Sequence, residues 1–192
     1  GLYYASGDRT SSAEQVVDEL RGFMAETGTK AVKFRLGARL KTTPFSDARD
    51  AKLIPLARKA LGDDAVLYAD ANSSYQVPQA LRVGRMLSEL NYGYFEEPVW
   101  FEDFAETKQV SDALPITIAG GEQESSLRRF ETMIAERVVD LVQPDILYFG
   151  GLSRAIRVAR MADAAGMKAV PHISGDGLGF LNVLHFAAVV PN

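Results

Sequence analysis

Asp70, Glu96 and Glu122 each close a short apolar run and follow one another at intervals of 26 residues. An interval of that size holds one strand and one helix, so successive strands of a parallel barrel would each deliver one carboxylate to a common point. Three carboxylates converging there repel one another unless a hard divalent cation holds them, and an all-oxygen ligand set favours Mg²⁺ over zinc or copper. Lys33 and Arg35, two residues apart in an alternating stretch, share a second patch of one face. Two cations turned inward are costly unless something anionic meets them.

The elements that must position these groups are legible as an alternation. Leu2-Tyr3-Tyr4-Ala5 reads as a first strand. Ser12-Ala13-Glu14-Gln15 is a capping-box pattern that opens an amphipathic helix closing near Gly28. An alternating strand over 31–37 follows, then a helix over 47–61 in which Pro55 predicts a kink or a later start. Strands are expected at 65–70, 92–97, 116–119, 139–144 and 168–172, and helices at 78–90, 101–113, 126–137, 153–165 and 178–190.

Seven strand–helix units in series, with no linker or change of composition, predict an α/β fold of the (β/α)₈ TIM-type barrel class, spanning 1–192 as one incomplete domain. A doubly wound sheet would not need ionisable groups at the ends of so many consecutive strands. A whole barrel takes about 250 residues. The chain also enters its first strand at once from Gly1, without an initiating methionine, which is expected of a piece of a longer protein.

Composition bounds the partners. A net charge of −4 offers no basic stripe for a phosphate backbone, so nucleic acid is not expected. The absence of cysteine excludes a disulfide framework and thiolate metal sites, with the cytoplasm the default location. No apolar run approaches the roughly 20 residues of a membrane span.

Strand alternation sorts the faces further. Tyr68, Asp70 and Asn72 share one face, as do Tyr94 and Glu96, while Glu97 turns away before Pro98. Glu122 follows two glycines that let the backbone approach closely. Asp145 ends the sixth strand and His172 the seventh, so nearly every strand finishes in an ionisable group on one rim.

These motifs, in this order, resemble the barrel domain of the enolase superfamily in its mandelate racemase-like branch. The resemblance rests on Lys33-Phe34-Arg35, Asp70-Ala71-Asn72, Phe95-Glu96-Glu97-Pro98, Gly121-Glu122, Pro144-Asp145 with Gly150-Gly151, and Pro171-His172. It implies that Asp70, Glu96 and Glu122 bind Mg²⁺ against the carboxylate of a small-molecule substrate, and that an Asp145–His172 dyad serves proton transfer. It also implies a separate capping domain and an eighth strand, neither present in these 192 residues, and self-association into a homo-oligomer.

His172 is the better base, since its ordinary pKa lies near neutrality and Asp145 can orient the ring. Arg35 stands where the resemblance expects a second lysine, and a guanidinium stays protonated at any ordinary pH. One-sided chemistry is therefore expected: dehydration of an acid sugar to a 2-keto-3-deoxy acid, with Lys33, Arg35 and Asn72 on the substrate. Racemisation or epimerisation of a 2-hydroxy or acyl-amino acid is the alternative, and a metal-holding barrel without activity a third. A Schiff-base aldolase with Lys33 as nucleophile leaves the three carboxylates unexplained. The muconate-lactonising branch places a lysine on the sixth strand, where this chain has Asp145-Ile146-Leu147-Tyr148-Phe149.

Other polar residues have plainer readings. Glu97 and Glu124 are expected to support loops rather than ligate, Asp140 and Asp176 to lie at the surface, and Lys30 at the strand mouth away from chemistry. Asn72 reads equally as a turn residue and as a contact to the substrate or to the groups that hold it. Gly150-Gly151 fits a tight turn. His185, in an apolar helical stretch, is expected to be a packed core histidine.

Overall fold

A computed structural model describes residues 2–5 (backbone only), 9–41, 45–173 and 177–190; Asp176 lies outside the described residues. Two compact units divide the chain, Gly1–Thr117 and Ile118–Asn192.

In the first unit, four strands alternate with four helices: β1 (Leu2–Ala5), α1 (Ala13–Thr27), β2 (Ala31–Arg35), α2 (Asp47–Leu61), β3 (Val66–Asp70), α3 (Val77–Glu89), β4 (Tyr94–Glu96) and α4 (Phe104–Ala113). Each strand pairs in parallel with the next. The second unit continues with β5 (Ile118–Gly120), α5 (Leu127–Ala135), β6 (Leu141–Val142), α6 (Leu152–Ala164), β7 (Lys168–Ala169) and α7 (Leu178–Val189). Here β5 pairs with β6 and β6 with β7, again in parallel. The α/β class and the seven strand–helix units are those expected, and β1 has the expected bounds, but each later strand is shorter than the run that announces it.

Local chemistry explains the boundaries. At the start of α1 the Ser12 hydroxyl accepts from the Gln15 N–H while the Gln15 side chain accepts from the Ser12 N–H, and Gly28 closes the helix in the left-handed region. The later start anticipated for α2 is not seen: the helix begins at Asp47 and runs through Pro55. Pro55 and Ala51 are both exposed. The carbonyl that loses its helical partner to proline can therefore be hydrated, and the helix tolerates the break.

The strand residues facing the helices, Val32, Phe34, Leu36, Leu67, Ala69 and Phe95, are fully buried. Removing such side chains from water is the main favourable term in folding. Away from the carboxylate rim, the buried Arg58 of α2 gathers four carbonyls. Its Nε donates to Leu90 at 2.9 Å, Nη1 to Gly62 and Ala65 at 2.8 Å each, and Nη2 to Asn91 at 2.9 Å. The guanidinium also lies over the Tyr92 ring, 5.6 Å from its centroid.

One expectation is reversed in the second unit. His185 is exposed, not packed in the core. The cause is α7 itself, which is apolar nearly all round. Gly179 and Phe186 are buried, while Leu178, Phe180, Leu181, Leu184 and Val189 all stand exposed. An apolar neighbourhood in sequence does not bury a residue whose helix face meets no other element. Among the described residues no helix is long and apolar enough to cross a membrane.

Replacing Arg58 by Met keeps its hydrophobic stem but takes this donor from the buried Ala65 carbonyl and from three carbonyls nearer the surface. The variant is expected to lose about 3 kcal/mol of unfolding free energy, read as a lower urea midpoint at unchanged slope.

Candidate active site

The first unit brings its predicted residues together through strand register. Parallel pairing places Arg35 beside Asp70 and Asp70 beside Glu96. Asp70 and Glu96 are buried almost completely, at 1% and 0% exposure. Lys33 lies on the same inward face, and its Nζ donates to Glu96 Oε2 at 2.6 Å. Arg35 stands further off, with Nη2 at 4.0 Å from Asp70 Oδ2. The Asn72 N–H donates to Asp70 Oδ1 at 2.7 Å.

The electrostatics follow from that packing. Burial, and then the charge of Glu96, push the Asp70 carboxyl above the usual aspartate range, against the pull of Lys33, Arg35 and the Asn72 N–H. For Lys33, burial acts to lower the pKa, but the carboxylates of Glu96 and Asp70 outweigh it and hold the ammonium protonated well above the ordinary lysine value. Beneath this layer Tyr68 and Tyr94 stack with centroids 4.0 Å apart. Burial, reinforced by Glu96, raises the Tyr94 phenol.

Several supports in this unit carry no sequence signal. Asp50 of α2 is buried, accepting from Tyr75 Oη at 2.7 Å and from the Gly37 N–H at 2.8 Å. Gly37 has φ 61° and a side chain there would run into Ser74. The Ser74 hydroxyl in turn lies 2.7 Å from the Ala38 carbonyl. Arg49 Nη1 reaches the Arg35 carbonyl at 3.3 Å. Together these contacts fasten the loop after β2 to α2 and to the loop after β3.

The second unit holds the other predicted group. Gly121 sits at φ 115°, where a Cβ would come within 2.8 Å of the Phe130 ring, so the turn that delivers Glu122 requires glycine. Glu122 is buried, and its Oε1 accepts from Gln123 Nε2 at 3.0 Å. Asp145 and His172 form an isolated parallel bridge beyond β6 and β7. His172 Nδ1 lies 2.7 Å from Asp145 Oδ2, and His172 Nε2 lies 3.0 Å from Glu122 Oε2.

Asp145 Oδ1 accepts from the N–H groups of Leu147 and Tyr148 at 2.7 and 2.8 Å. Burial alone would raise the Asp145 carboxyl. The hydrogen bond from His172 and the two backbone donors outweigh it and hold the group below the usual range. An ionised carboxylate only accepts, so His172 Nδ1 carries the proton in this contact.

Glu97 accepts from Ser73 Oγ at 3.2 Å, Glu124 pairs with Arg129 Nε at 2.6 Å, and Asp140 accepts from the Ile118 N–H at 2.8 Å. Lys30 is exposed, just before β2. Gly150 and Gly151, at φ 88° and 107°, form the turn into α6. Asn72 is buried at φ 47°, and its N–H donates to Asp70 Oδ1.

The lowered Asp145 pKa has a pH signature. Its stabilising contribution is complete above the unfolded value of 3.8 and fades as pH falls through the lower folded value. Asp145→Asn is expected to be less stable than wild type at pH 6, with the gap narrowing steadily below pH 3.8, in paired thermal melts.

Comparison with known proteins agrees with this arrangement. Residues 15–192 match the family described as Enolase C-terminal domain-like. Arabinonate dehydratase of Saccharolobus solfataricus is 30% identical over 190 residues, covering 99% of this chain and 48% of that protein. A solved structure from Roseobacter denitrificans superposes with a TM-score of 0.94 at 40% identity, over 100% of this chain and 52% of the other. A mandelate racemase/muconate lactonizing protein from Paracoccus denitrificans PD1222, complexed with magnesium, gives 0.92 at 32% identity, over 98% and 50%. The chain thus spans about half the length of the relatives it matches.

Proposed function

Because the chain belongs to the enolase C-terminal-like family of TIM-type barrel domains, in its mandelate racemase/muconate-lactonizing group, we propose that it serves a Mg²⁺-dependent acid-sugar dehydratase. The reading is carried by the His172–Asp145 contact at 2.7 Å, which fixes the imidazole through Nδ1 and assigns proton transfer to Nε2.

Asp70, Glu96 and Glu122 would hold the cation. Their donor set fits it: hard carboxylate oxygens only, each side chain nearly inaccessible to water. In the first unit Lys33 and Arg35 stand against the adjacent Asp70 and Glu96, and burial, with the charge of Glu96 behind it, still holds the Asp70 carboxyl above its usual range. When bound, the cation supplies fixed positive charge against the substrate carboxylate, whose charge grows as the α-proton leaves.

The residues of this chain divide the remaining work. His172, neutral with its proton on Nδ1, accepts the α-proton at Nε2, while Asp145 stabilises the resulting imidazolium. The same proton then goes to the β-hydroxyl, which leaves as water as the electron pair of the former C–H bond forms the C=C bond. The enol tautomerises to a 2-keto-3-deoxy acid. Lys33 stays on Glu96, and Arg35 and Asn72 face the substrate's oxygens.

Racemisation is the second reading, favoured by the likeness to a mandelate racemase/muconate lactonizing protein. It needs acid–base groups on both faces of the α-carbon. The guanidinium of Arg35 and the ammonium of Lys33, held protonated by Glu96 and Asp70, are both poor acceptors.

A panel of mono- and diacid sugars, scored for keto product and for α-proton exchange in D₂O, tests the reading. His172→Asn is expected to lose about 10²- to 10⁴-fold in both signals, and undiminished exchange would remove His172 from the role. Removal of Mg²⁺ with a chelator is expected to abolish turnover, and Glu122→Gln to weaken Mg²⁺ binding in calorimetry. Inversion at the α-carbon, without a keto acid, would shift the assignment to a racemase or epimerase.

A further inference from the structure

Arg9 stands in the loop between β1 and α1, with no motif around it, yet it reaches the loops after both β2 and β3. Its Nη1 donates to the carbonyls of Leu36, Gly37 and Ala38 at 3.0, 3.0 and 2.5 Å. Its Nη2 lies 3.3 Å from Asn72 Oδ1. One planar guanidinium thus joins the segments after β1, β2 and β3, across sequence separations of 27 to 63 residues.

The contact with Asn72 has a chemical consequence. A guanidinium only donates, so the edge of the Asn72 amide turned toward Arg9 must be its carbonyl oxygen. The amide NH₂ is then presented on the opposite edge, as a donor. The backbone at Asn72 is equally fixed: its N–H is on Asp70 Oδ1 at 2.7 Å, and its carbonyl accepts from the Leu40 N–H at 2.9 Å. Asn72 and Ser73 are both in the left-handed region, at φ 47° and 63°, a conformation that persists only where surrounding contacts impose it.

We propose that Arg9 is a positioning residue that sets the orientation of the Asn72 amide, so that Asn72 offers its NH₂ to a hydroxyl or carboxylate oxygen of the acid-sugar substrate. The inference rests on the function proposed above and adds to it a determinant of substrate binding outside the predicted set. Lysine does not replace arginine here, because a single ammonium cannot span three carbonyls on one side and an amide on the other.

Two measurements on the full chain test it separately. The chain has four asparagines, so selective ¹⁵N-asparagine labelling gives a sparse side-chain amide spectrum in which Asn72→Asp identifies the Asn72 pair. In wild type that pair is expected to be well dispersed and slow to exchange with solvent. In Arg9→Met it is expected to move toward the free-amide position and exchange faster, with Arg9→Lys only partly restoring it. An unchanged Asn72 signal in Arg9→Met would overturn the proposal.

In steady-state assays on the acid sugar turned over best, Arg9→Met is expected to raise KM about tenfold and to change kcat less. The Asn72→Ala/Arg9→Met double variant is expected to match Asn72→Ala alone. Additive effects of the two substitutions, or a kcat loss with KM unmoved, would also overturn it. A wild type inert toward every acid sugar, with the Asn72 signal lost in Arg9→Met, would overturn the dehydratase reading and support the positioning of Asn72 by Arg9.

Discussion

The side-by-side burial of Asp70 and Glu96 is the constraint on which the first unit turns. Parallel register makes them neighbours, and neither carboxylate meets solvent. Two buried like charges at adjacent strand ends are unfavourable unless cations stand against them. The chain supplies Lys33 within 2.6 Å of Glu96 and Arg35 at 4.0 Å from Asp70. Strand alternation puts both cations on the required face, with Phe34 between them turned to the hydrophobic side. Charge compensation and core packing therefore come from the same five-residue strand.

The second unit solves a different problem, holding an imidazole between acceptors. Asp145 is fixed by two backbone N–H groups and takes the Nδ1 side of His172, while Glu122 faces Nε2. Turning the ring breaks the Asp145 contact, which fixes its orientation.

Much of this was legible in the sequence because each signal was doubled. Alternation assigned Lys33, Asp70 and Glu96 to inward faces, and the ordered motifs assigned them to consecutive strand ends. The capping box at Ser12 needed nothing beyond four residues. Arg9, Asp50 and Tyr75 had no such doubling. Each acts through a partner 13 or more residues away, in a loop or on a helix whose local pattern looks ordinary. His185 failed for a related reason: hydrophobic neighbours in sequence predict burial only if another element covers that face, and the exposed side chains of α7 show that none does among the described residues. Strand lengths were overestimated because buried apolar residues continue past the strand ends, as at Leu36 and Val139.

The choice between one-sided and two-sided chemistry comes down to which groups can carry a proton near neutral pH. Arg35 cannot release one, whatever its surroundings. Lys33 could in principle, had burial alone acted on it, since desolvation lowers an ammonium pKa and is the usual route to a basic lysine. Here burial comes with two carboxylates, and their field outweighs it, so the same desolvated position that would make a base makes a permanent cation instead. A bound cation drawing charge from Glu96 and Asp70 would weaken that field but leave Lys33 in contact with Glu96 rather than with an α-carbon. His172 is then the group suited to accept and return a proton, and a single such group favours elimination, in which one face of the substrate serves both steps, over inversion, which requires two.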